Sequence, residues 1–368
     1  MRSLLYVGLC SVLAITLTGC GGSKGGDQSP RVSYTRLVTF GDSLSDAGTY
    51  KVSTIAAIGG GEFTVNSGGG ENWTELLAAQ LGLDAPCPAV TGLDSVIPQI
   101  PAAPVNADNT CYNYAMGGAR VTNPVGPGNL ALYTNFGDTS GELGQLTYPI
   151  TQQIDNFLAD HGGYFTAGDL VTVMAGGNDL FMEAAAVQNS NETASTAVTN
   201  MATAATELVG YIQNKILANG ATHVVVVNLP DVSLTPYALS QAANAQALVS
   251  LLVTTFNNTL AAGLAGLDNR VMLVDAYTQS RDQYAHPAQY GLTNVTTPAC
   301  DLTNSRGQTT TAAQLLAAVP TSLLCTTDTT LATDVSRYEY ADTVHPTPYG
   351  YKLLASLVTT RMALNGWL

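Results

Sequence analysis

The chain has 368 residues, of which 46% are hydrophobic and 11% are charged, and its formal net charge is −14 at pH 7. This length suits one large domain or two small ones and provides for a sizeable core. The negative charge argues against a nucleic-acid partner and against an electrostatic attraction to anionic lipid. We therefore expect a well-packed protein whose surface is mostly Thr, Ser, Asn and Gln.

The first 19 residues have the pattern of an export signal. A short basic start precedes the apolar run Leu4–Leu17, which suits a signal peptide better than a membrane-spanning helix. The next residues, Leu17-Thr18-Gly19-Cys20, resemble the lipobox of bacterial lipoproteins, which implies cleavage before Cys20 and lipid on that cysteine. Gly21 stands where Asp would favour inner-membrane retention, so we expect anchoring in the outer membrane. The alternative is an ordinary secretory signal, with a secreted or periplasmic product.

Residues 20–33 are rich in Gly and Ser and have no periodicity, so they predict a flexible tether. Residues 34–368 show no internal repeat and no second change of composition. We therefore predict three parts: a signal peptide over 1–19, the tether over 20–33, and one catalytic domain over 34–368.

Apolar strands alternate with amphipathic helices along this domain. The predicted strands are Leu37–Phe40, Asp169–Ala175, His223–Leu229 and Arg270–Val274. The predicted helices are Glu71–Leu83, Leu143–Asp160, Glu192–Asn219, Tyr237–Leu264 and Tyr349–Leu364. Irregular chain is expected over Pro86–Cys111, Gly117–Gly141 and Tyr284–Tyr340. The alternation predicts an α/β fold with a parallel sheet covered on both faces, and ligands bind such sheets beyond the carboxyl ends of the strands.

Four cysteines remain once the signal peptide and Cys20 are set aside, namely Cys87, Cys111, Cys300 and Cys325. An even number in an exported chain predicts disulfides, and four cysteines allow three pairings. We expect the two local pairs, Cys87–Cys111 and Cys300–Cys325. A metal site is the competing interpretation, but neither a C-x-x-C motif nor a neighbouring histidine supports it.

The stretch around Ser43 predicts a strand, a tight turn and the start of a helix. The strand stops at Gly41, and helix-capping residues including Asp42 and Ser45 follow. In such a turn the Ser43 hydroxyl can lie clear of the sheet and beside free backbone N–H groups, which suits a nucleophile. The alternative is a capped turn without catalytic function.

A serine nucleophile needs a base, and the chain has only four histidines. Of these, only His345 has a carboxylate, Asp342, three residues upstream in a segment expected to curl back on itself. Asp342 could accept a hydrogen bond from Nδ1–H and leave Nε2 facing Ser43. The alternative is a loop pair that caps the last helix.

Two further segments offer hydrogen-bond donors for an oxyanion. Asn178 follows two glycines at a strand end, and Gly117-Gly118 can present a backbone N–H without an obstructing side chain. Asn178 could instead be an ordinary turn residue, and the glycine pair could simply be a flexible loop.

In this order, four blocks of sequence resemble the GDSL esterases and lipases, also called SGNH hydrolases. The blocks are residues 41–48, 113–119, 177–179 and 342–345. The resemblance implies a nucleophile at Ser43, a base at His345 and its orienting carboxylate at Asp342. It also implies an oxyanion hole made by the Ser43 N–H, the Gly118 N–H and the Asn178 side chain. Gly118 is preferred to Gly117 because the family's glycine usually precedes a small residue and then a polar one.

The same resemblance implies a three-layer α/β/α, flavodoxin-like fold and a reaction that needs no metal or cofactor. The expected function is hydrolysis of carboxylic esters, including lipids, through an acyl-enzyme, near a membrane that holds the lipidated Cys20. One alternative is an acyltransferase that uses the same acyl-enzyme. Another is a cell-surface binding lipoprotein on a catalytically inactive scaffold.

The loop Pro86–Cys111 is apolar, rich in proline and expected to be closed by a disulfide. Such a loop is costly at a surface unless it packs on the body of the protein or contacts something apolar. We expect it to contact the acyl chain of the substrate, with Ile97 and Ile100 as the contacting residues. The alternative is that the loop only packs.

Overall fold

Four parallel strands lie at the centre of the computed structural model, which describes residues 32–69, 72–267 and 269–368. The expected signal peptide, Cys20 and the tether up to residue 31 lie outside the described residues. The strands of the described chain are β1 Arg36–Gly41, β2 Val90–Leu93, β3 Ala103–Ala107, β4 Asp169–Met174, β5 His223–Val227 and β6 Val271–Val274. The central sheet has the order β1-β4-β5-β6, and β2 and β3 form a separate antiparallel hairpin.

The helices of the described chain lie on both faces of this sheet and in the region beside it. They are α1 Ser53–Ala57, α2 Trp73–Leu81, α3 Leu130–Phe136, α4 Ile150–Asp160, α5 Gly177–Gln188, α6 Ala194–Tyr211, α7 Pro236–Leu239, α8 Ala243–Leu264, α9 Ala276–Ala285, α10 Thr311–Ala318 and α11 Pro348–Leu364. A π-helical turn, Ile212–Leu217, extends α6 towards Gly220. The helix α8 is long and apolar enough to span a membrane by length and composition, but Leu252, Phe256 and Leu260 on it are buried in the core.

The sheet is covered on both faces because its strands are apolar on both sides. In β1, Val38 and Phe40 pack with α4, α5, α6 and α8, whereas Leu37 packs on the opposite face with α2 and α11. This division follows from the alternation of side chains along a strand. The predicted three-layer α/β/α fold is therefore confirmed.

The two long irregular segments pack against each other in a cluster of their own. Ile100 of the first segment and Leu323 of the second are completely buried there, together with Ile55 and Phe63. Both expected disulfides are present, and they join Cys87 to Cys111 and Cys300 to Cys325. The two segments thus form a second packed region beside the sheet. Disulfides of this kind are typical of exported proteins.

Several helix boundaries differ from the prediction. The helix expected from Leu143 begins only at Ile150, because a 3-10 turn ends at Gly144 in the left-handed conformation and Pro149 then caps α4. The helix expected over Tyr237–Leu264 is broken between α7 and α8. The hairpin β2–β3, the short helix α3 and the helix α10 lie in segments for which the sequence predicted irregular chain.

Candidate active site

Ser43 lies in the turn that follows β1, as expected, but a helix does not start there. The carboxylate of Asp42 accepts the N–H of Leu44, and that of Asp46 accepts the N–H groups of Gly48 and Thr49. These side-chain bonds replace the backbone pattern of a helix, and Gly48 turns the chain with a φ of 119°. The first helix, α1, therefore begins only at Ser53.

A glutamine that the sequence analysis missed holds the strand end in place. Gln153 on α4 accepts the N–H of Gly41 at 2.9 Å and donates to the carbonyl of Gly41 at 2.8 Å. Its side chain is completely surrounded by protein. The only signal in the sequence is a glutamine on the apolar face of an amphipathic helix, where a polar side chain needs a specific partner.

Ser43, His345 and Asp342 form a continuous chain of hydrogen bonds. The Ser43 Oγ lies 2.8 Å from His345 Nε2, and His345 Nδ1 lies 2.7 Å from Asp342 Oδ2. The remaining acceptor positions of Asp342 are filled by backbone N–H groups of Ser322, Val344 and His345. The predicted trio is thus brought together from the two ends of the domain.

The environment of Asp342 keeps its carboxyl ionised. Burial, the largest single effect, raises the pKa of this group, but the imidazole of His345 and the hydrogen bonds to Asp342 together bring the pKa well below its usual range. The His345 ring also packs on the ring of Phe63, with 4.9 Å between the centroids. An ionised carboxylate and a flat apolar neighbour therefore fix the plane of the imidazole.

The two glycines of the second block have different partners. The N–H of Gly117 donates to Asp46 Oδ2 at 2.9 Å, whereas the N–H of Gly118 makes no hydrogen bond within the described chain. Gly118 has a φ of 79°, and a Cβ there would lie only 2.5 Å from the carbonyl oxygen of Pro127. Of the pair, Gly118 is therefore the one whose N–H is free to bind an oxyanion.

Residues 112–116 bring this block to the site by running beside β1. The N–H of Tyr114 donates to Thr39, and the N–H of Met116 donates to Gly41. Asn178, on the first turn of α5, donates its amide to the carbonyl of Ala119 at 2.9 Å. The Asn178 side chain is thus joined to the residue after Gly118, with a second amide hydrogen still available as a donor.

The neighbour of Asn178 provides a further link that the sequence analysis did not single out. Asp179 accepts the N–H of Val121 and the guanidinium of Arg120, both at 3.0 Å. Burial raises the pKa of Asp179, and the charge of Arg120 opposes that change. The end of α5 and the segment that carries Gly118 are therefore fastened together by a buried ion pair.

A pocket opens beside Ser43, Asn178 and His345. Its walls come from α5, the loop after β5, the helices α9 and α11, and residues 339–346. About half of its lining residues are apolar, and these include Phe181, Leu229, Leu354 and Leu357.

The expectation that Pro86–Cys111 forms a wall of this pocket is wrong, because none of its residues lines the described pocket. Ile100 is instead buried between the irregular segments, and Ile97 packs against the same cluster. For these two side chains, the structure agrees with the alternative that the loop only packs against the rest of the protein. Within the described ranges, no group of three His, Cys, Asp or Glu side chains could hold a metal ion.

The fold and the site define a class: an α/β/α protein with the Ser–His–Asp arrangement used by serine hydrolases. The sequence profile of the GDSL-like lipase/acylhydrolase family matches residues 37–358. The chain belongs to this family.

The chain is also similar to two relatives that are named as esterases. It is 27% identical over 340 residues to the esterase EstA of Pseudomonas aeruginosa and, to the same extent, to the esterase EstA of Pseudomonas putida. Each match covers 88% of this chain and 46% of the relative, so the chain spans about half the length of these relatives. A solved extracellular lipase from Streptomyces rimosus matches at 15% identity and a TM-score of 0.40, over 89% of this chain and 99% of that protein.

Proposed function

We propose that the protein is a serine carboxylic ester hydrolase that acts through an acyl-enzyme on Ser43. The observation that carries this proposal is the hydrogen-bonded chain from the Ser43 hydroxyl through His345 to the ionised Asp342. Membership of a family of lipases and acylhydrolases and similarity to two esterases support the same reaction class.

The proposed reaction begins when His345 Nε2 takes the proton of Ser43 as its oxygen attacks the ester carbonyl. The oxyanion then rests on the N–H groups of Ser43 and Gly118 and on the Asn178 amide, and removing one such donor typically costs about 3 kcal/mol. His345 returns the proton to the departing alcohol, and Asp342 stabilises the imidazolium between these steps. Water releases the acyl group by the same route.

The apolar pocket between α9 and α11 is proposed to hold the hydrophobic part of the ester. Burying an acyl chain gains roughly 0.8 kcal/mol per CH₂. On this basis kcat/KM rises from acetyl to medium-chain p-nitrophenyl esters, by up to about fourfold per added CH₂ while the pocket lasts. Leu354 and Leu357 take the role first given to the loop residues Ile97 and Ile100.

The experiment is a panel of p-nitrophenyl esters of increasing chain length, with Ser43→Ala as the control. The proposal predicts hydrolysis that depends on Ser43 and on His345 as its base. Near-native activity in Ser43→Ala would contradict it. Adding an alcohol acceptor and analysing the products separates hydrolysis from acyl transfer, because both pass through the same acyl-enzyme.

We further propose that the mature protein is anchored through a lipid on Cys20, in the outer membrane. The lipobox-like sequence Leu17–Cys20 supports this, and the two disulfides agree with export. Cys20→Ser should release the protein from membranes and abolish palmitate labelling. A mature N-terminus downstream of Cys20 without lipid would overturn the anchoring proposal and leave the catalytic one intact.

A further inference from the structure

Two carboxyl groups that the proposed reaction does not use line the pocket beside Ser43. One is Asp42, which accepts the N–H of Leu44. The other is Glu339, three residues before Asp342. Its oxygen Oε2 is buried and has no hydrogen-bond partner within the described chain. Buried polar atoms normally have partners, and leaving one unpaired costs roughly 1–3 kcal/mol. An unpaired carboxyl oxygen in a substrate pocket is therefore a position at which a ligand atom can bind.

The position of this carboxyl depends on the first turn of α11. The Glu339 oxygen Oε1 lies 3.2 Å from the point that a Cβ on Gly350 would occupy, and Gly350 also lines the pocket. Any larger residue at position 350 would also meet the carbonyl of Glu339 at 2.7 Å. The absence of a side chain at Gly350 thus leaves room for the carboxyl in the wall of the pocket.

A second polar group faces the same pocket from α9. Gln283 is 6% exposed, lines the pocket and makes no side-chain hydrogen bond to the described residues. Its amide can both donate and accept. Burial raises the pKa of Glu339 to about 7, so near neutral pH this carboxyl can also donate as well as accept.

We propose that Glu339 and Gln283 recognise a hydroxyl group on the substrate, so that the site prefers esters that combine an apolar body with a hydroxyl. This inference rests on the proposed ester hydrolysis and names the substrate class for it. A hydroxyl both donates and accepts, so it can pair with both side chains. An ammonium group only donates, and burial favours the neutral form of the Glu339 carboxyl that would have to pair with it.

The hydroxyl can belong to the acyl chain or to the alcohol, and two pairs of substrates distinguish these sources. The first pair is the p-nitrophenyl esters of 8-hydroxyoctanoate and octanoate. The second pair is glyceryl monooctanoate and propyl octanoate. We expect the hydroxylated member of one pair to have a kcat/KM about tenfold higher, the effect of one good hydrogen bond.

Variants of Glu339 test whether this residue causes the preference. Glu339→Leu should abolish the preference and raise activity on the unsubstituted ester, because an apolar wall replaces an unpaired carboxyl. Glu339→Gln should keep part of the preference, since an amide still bonds a hydroxyl. Asp84 is an exposed carboxylate outside the pocket, and Asp84→Asn, which removes the same charge, should leave the preference unchanged.

A binding measurement keeps the inference testable without turnover. Calorimetric titration of Ser43→Ala with 1-octanol, 1,8-octanediol and 8-amino-1-octanol should show tightest binding of the diol, and Glu339→Leu should remove the difference. No preference in either pair, a preference that survives Glu339→Leu, or tighter binding of the amino alcohol would overturn the inference. Loss of all ester hydrolysis together with selective diol binding would overturn the proposed function alone.

Discussion

The proposed nucleophile and its base are held by two different kinds of structure. Ser43 follows a strand of the central sheet, and the position of its turn is set by the register of β1 against β4. Asp342 and His345 lie in irregular chain just before α11. There the position is set by individual hydrogen bonds, including three from backbone N–H groups to Asp342. A sheet fixes a residue through many equivalent bonds, whereas irregular chain needs each of its few bonds to be made.

Removing Ser43 or His345 should have the largest effect on activity. The strand-held serine and the histidine in irregular chain meet in one hydrogen bond, and either substitution removes it. Ser43→Ala and His345→Ala should each lower kcat by roughly 10³-fold or more, as in other serine hydrolases. The melting temperature should change little, and steady-state kinetics with thermal unfolding measures both quantities. Asp342→Ala should lose less, because this residue orients the base. A variant of Ser43 or His345 that keeps a tenth of the activity would exclude the mechanism.

The sheet side is tested further by Asn178. Asn178→Ala should lower kcat by about 10²-fold, the usual cost of losing one oxyanion donor, with a much smaller change in KM. Asn219, which bonds a helix carbonyl away from the site, provides the matched control as Asn219→Ala. Equal effects of the two substitutions would show that the Asn178 amide only supports the fold.

The two disulfides sharpen the comparison because they close loops of nearly equal length, 24 and 25 residues. Replacing either pair by serine should lower the free energy of unfolding by a similar amount, about 3 kcal/mol in the chain-entropy model. Only Cys300–Cys325 is bonded directly beside the base, since the N–H of Cys300 donates to Ala341. Its loss should therefore lower kcat/KM about tenfold, through a displaced base, at temperatures where the protein remains folded.

Loss of Cys87–Cys111 should lower kcat/KM only about twofold under the same conditions. Urea unfolding and steady-state kinetics on both double variants measure the loss of stability and the loss of activity separately. Equal losses of activity would show that both disulfides act only through global stability.

The last comparison is between two buried carboxyl groups, Asp46 and Glu339, whose substitution changes stability. Asp46, on the sheet side, accepts three backbone N–H groups, those of Gly48, Thr49 and Gly117. Asp46→Asn replaces one acceptor oxygen by a donor, so it should lower the free energy of unfolding by about 1–3 kcal/mol. Urea unfolding measures this change, and an unchanged midpoint would show that the three bonds contribute little.

Glu339 lies in irregular chain, and its substitution should raise the free energy of unfolding where that of Asp46 lowers it. Burial raises its pKa from 4.5 to about 7, so the folded state holds this proton more tightly than the unfolded chain. That contribution to stability is complete below pH 4.5 and is lost as the pH rises through about 7. Glu339→Gln removes this dependence and should be more stable than the parent protein at pH 8, by up to about 3 kcal/mol for a shift of this size, with no gain at pH 4. A gain that does not vary with pH would contradict the assignment.

The sequence predicted the sheet because its strands are continuous apolar runs, such as His223–Val227, whose pattern depends only on local residues. The candidate site could be predicted because Ser43 and Asn178 lie in short motifs at strand ends and His345 lies in a short motif just before the last helix. The pairing of Asp46 with Gly117 could not be predicted, because it joins residues 71 positions apart. That contact is what distinguishes the two glycines.

The residues that line the pocket could not be predicted from the sequence either, because they also come from segments far apart along the chain. The helix α9 is mostly polar, with the sequence AYTQSRDQYA, and has no apolar periodicity that would reveal it. The apolar character of Pro86–Cys111 was visible, but its packing partner lies more than 200 residues away in the second irregular segment. The composition of Pro86–Cys111 indicates that it must be covered, but only the structure shows which segment covers it.

If Ser43 and His345 act as proposed, the distance between them along the chain determines when activity can begin. The two residues are 302 positions apart, and they meet in a single hydrogen bond. At typical rates of protein synthesis, roughly 15–60 s pass between the addition of the serine and that of the histidine. Throughout that interval, and in any chain that stops before residue 345, the serine hydroxyl has no base. On the proposed mechanism, a chain that ends before residue 345 should therefore hydrolyse no ester.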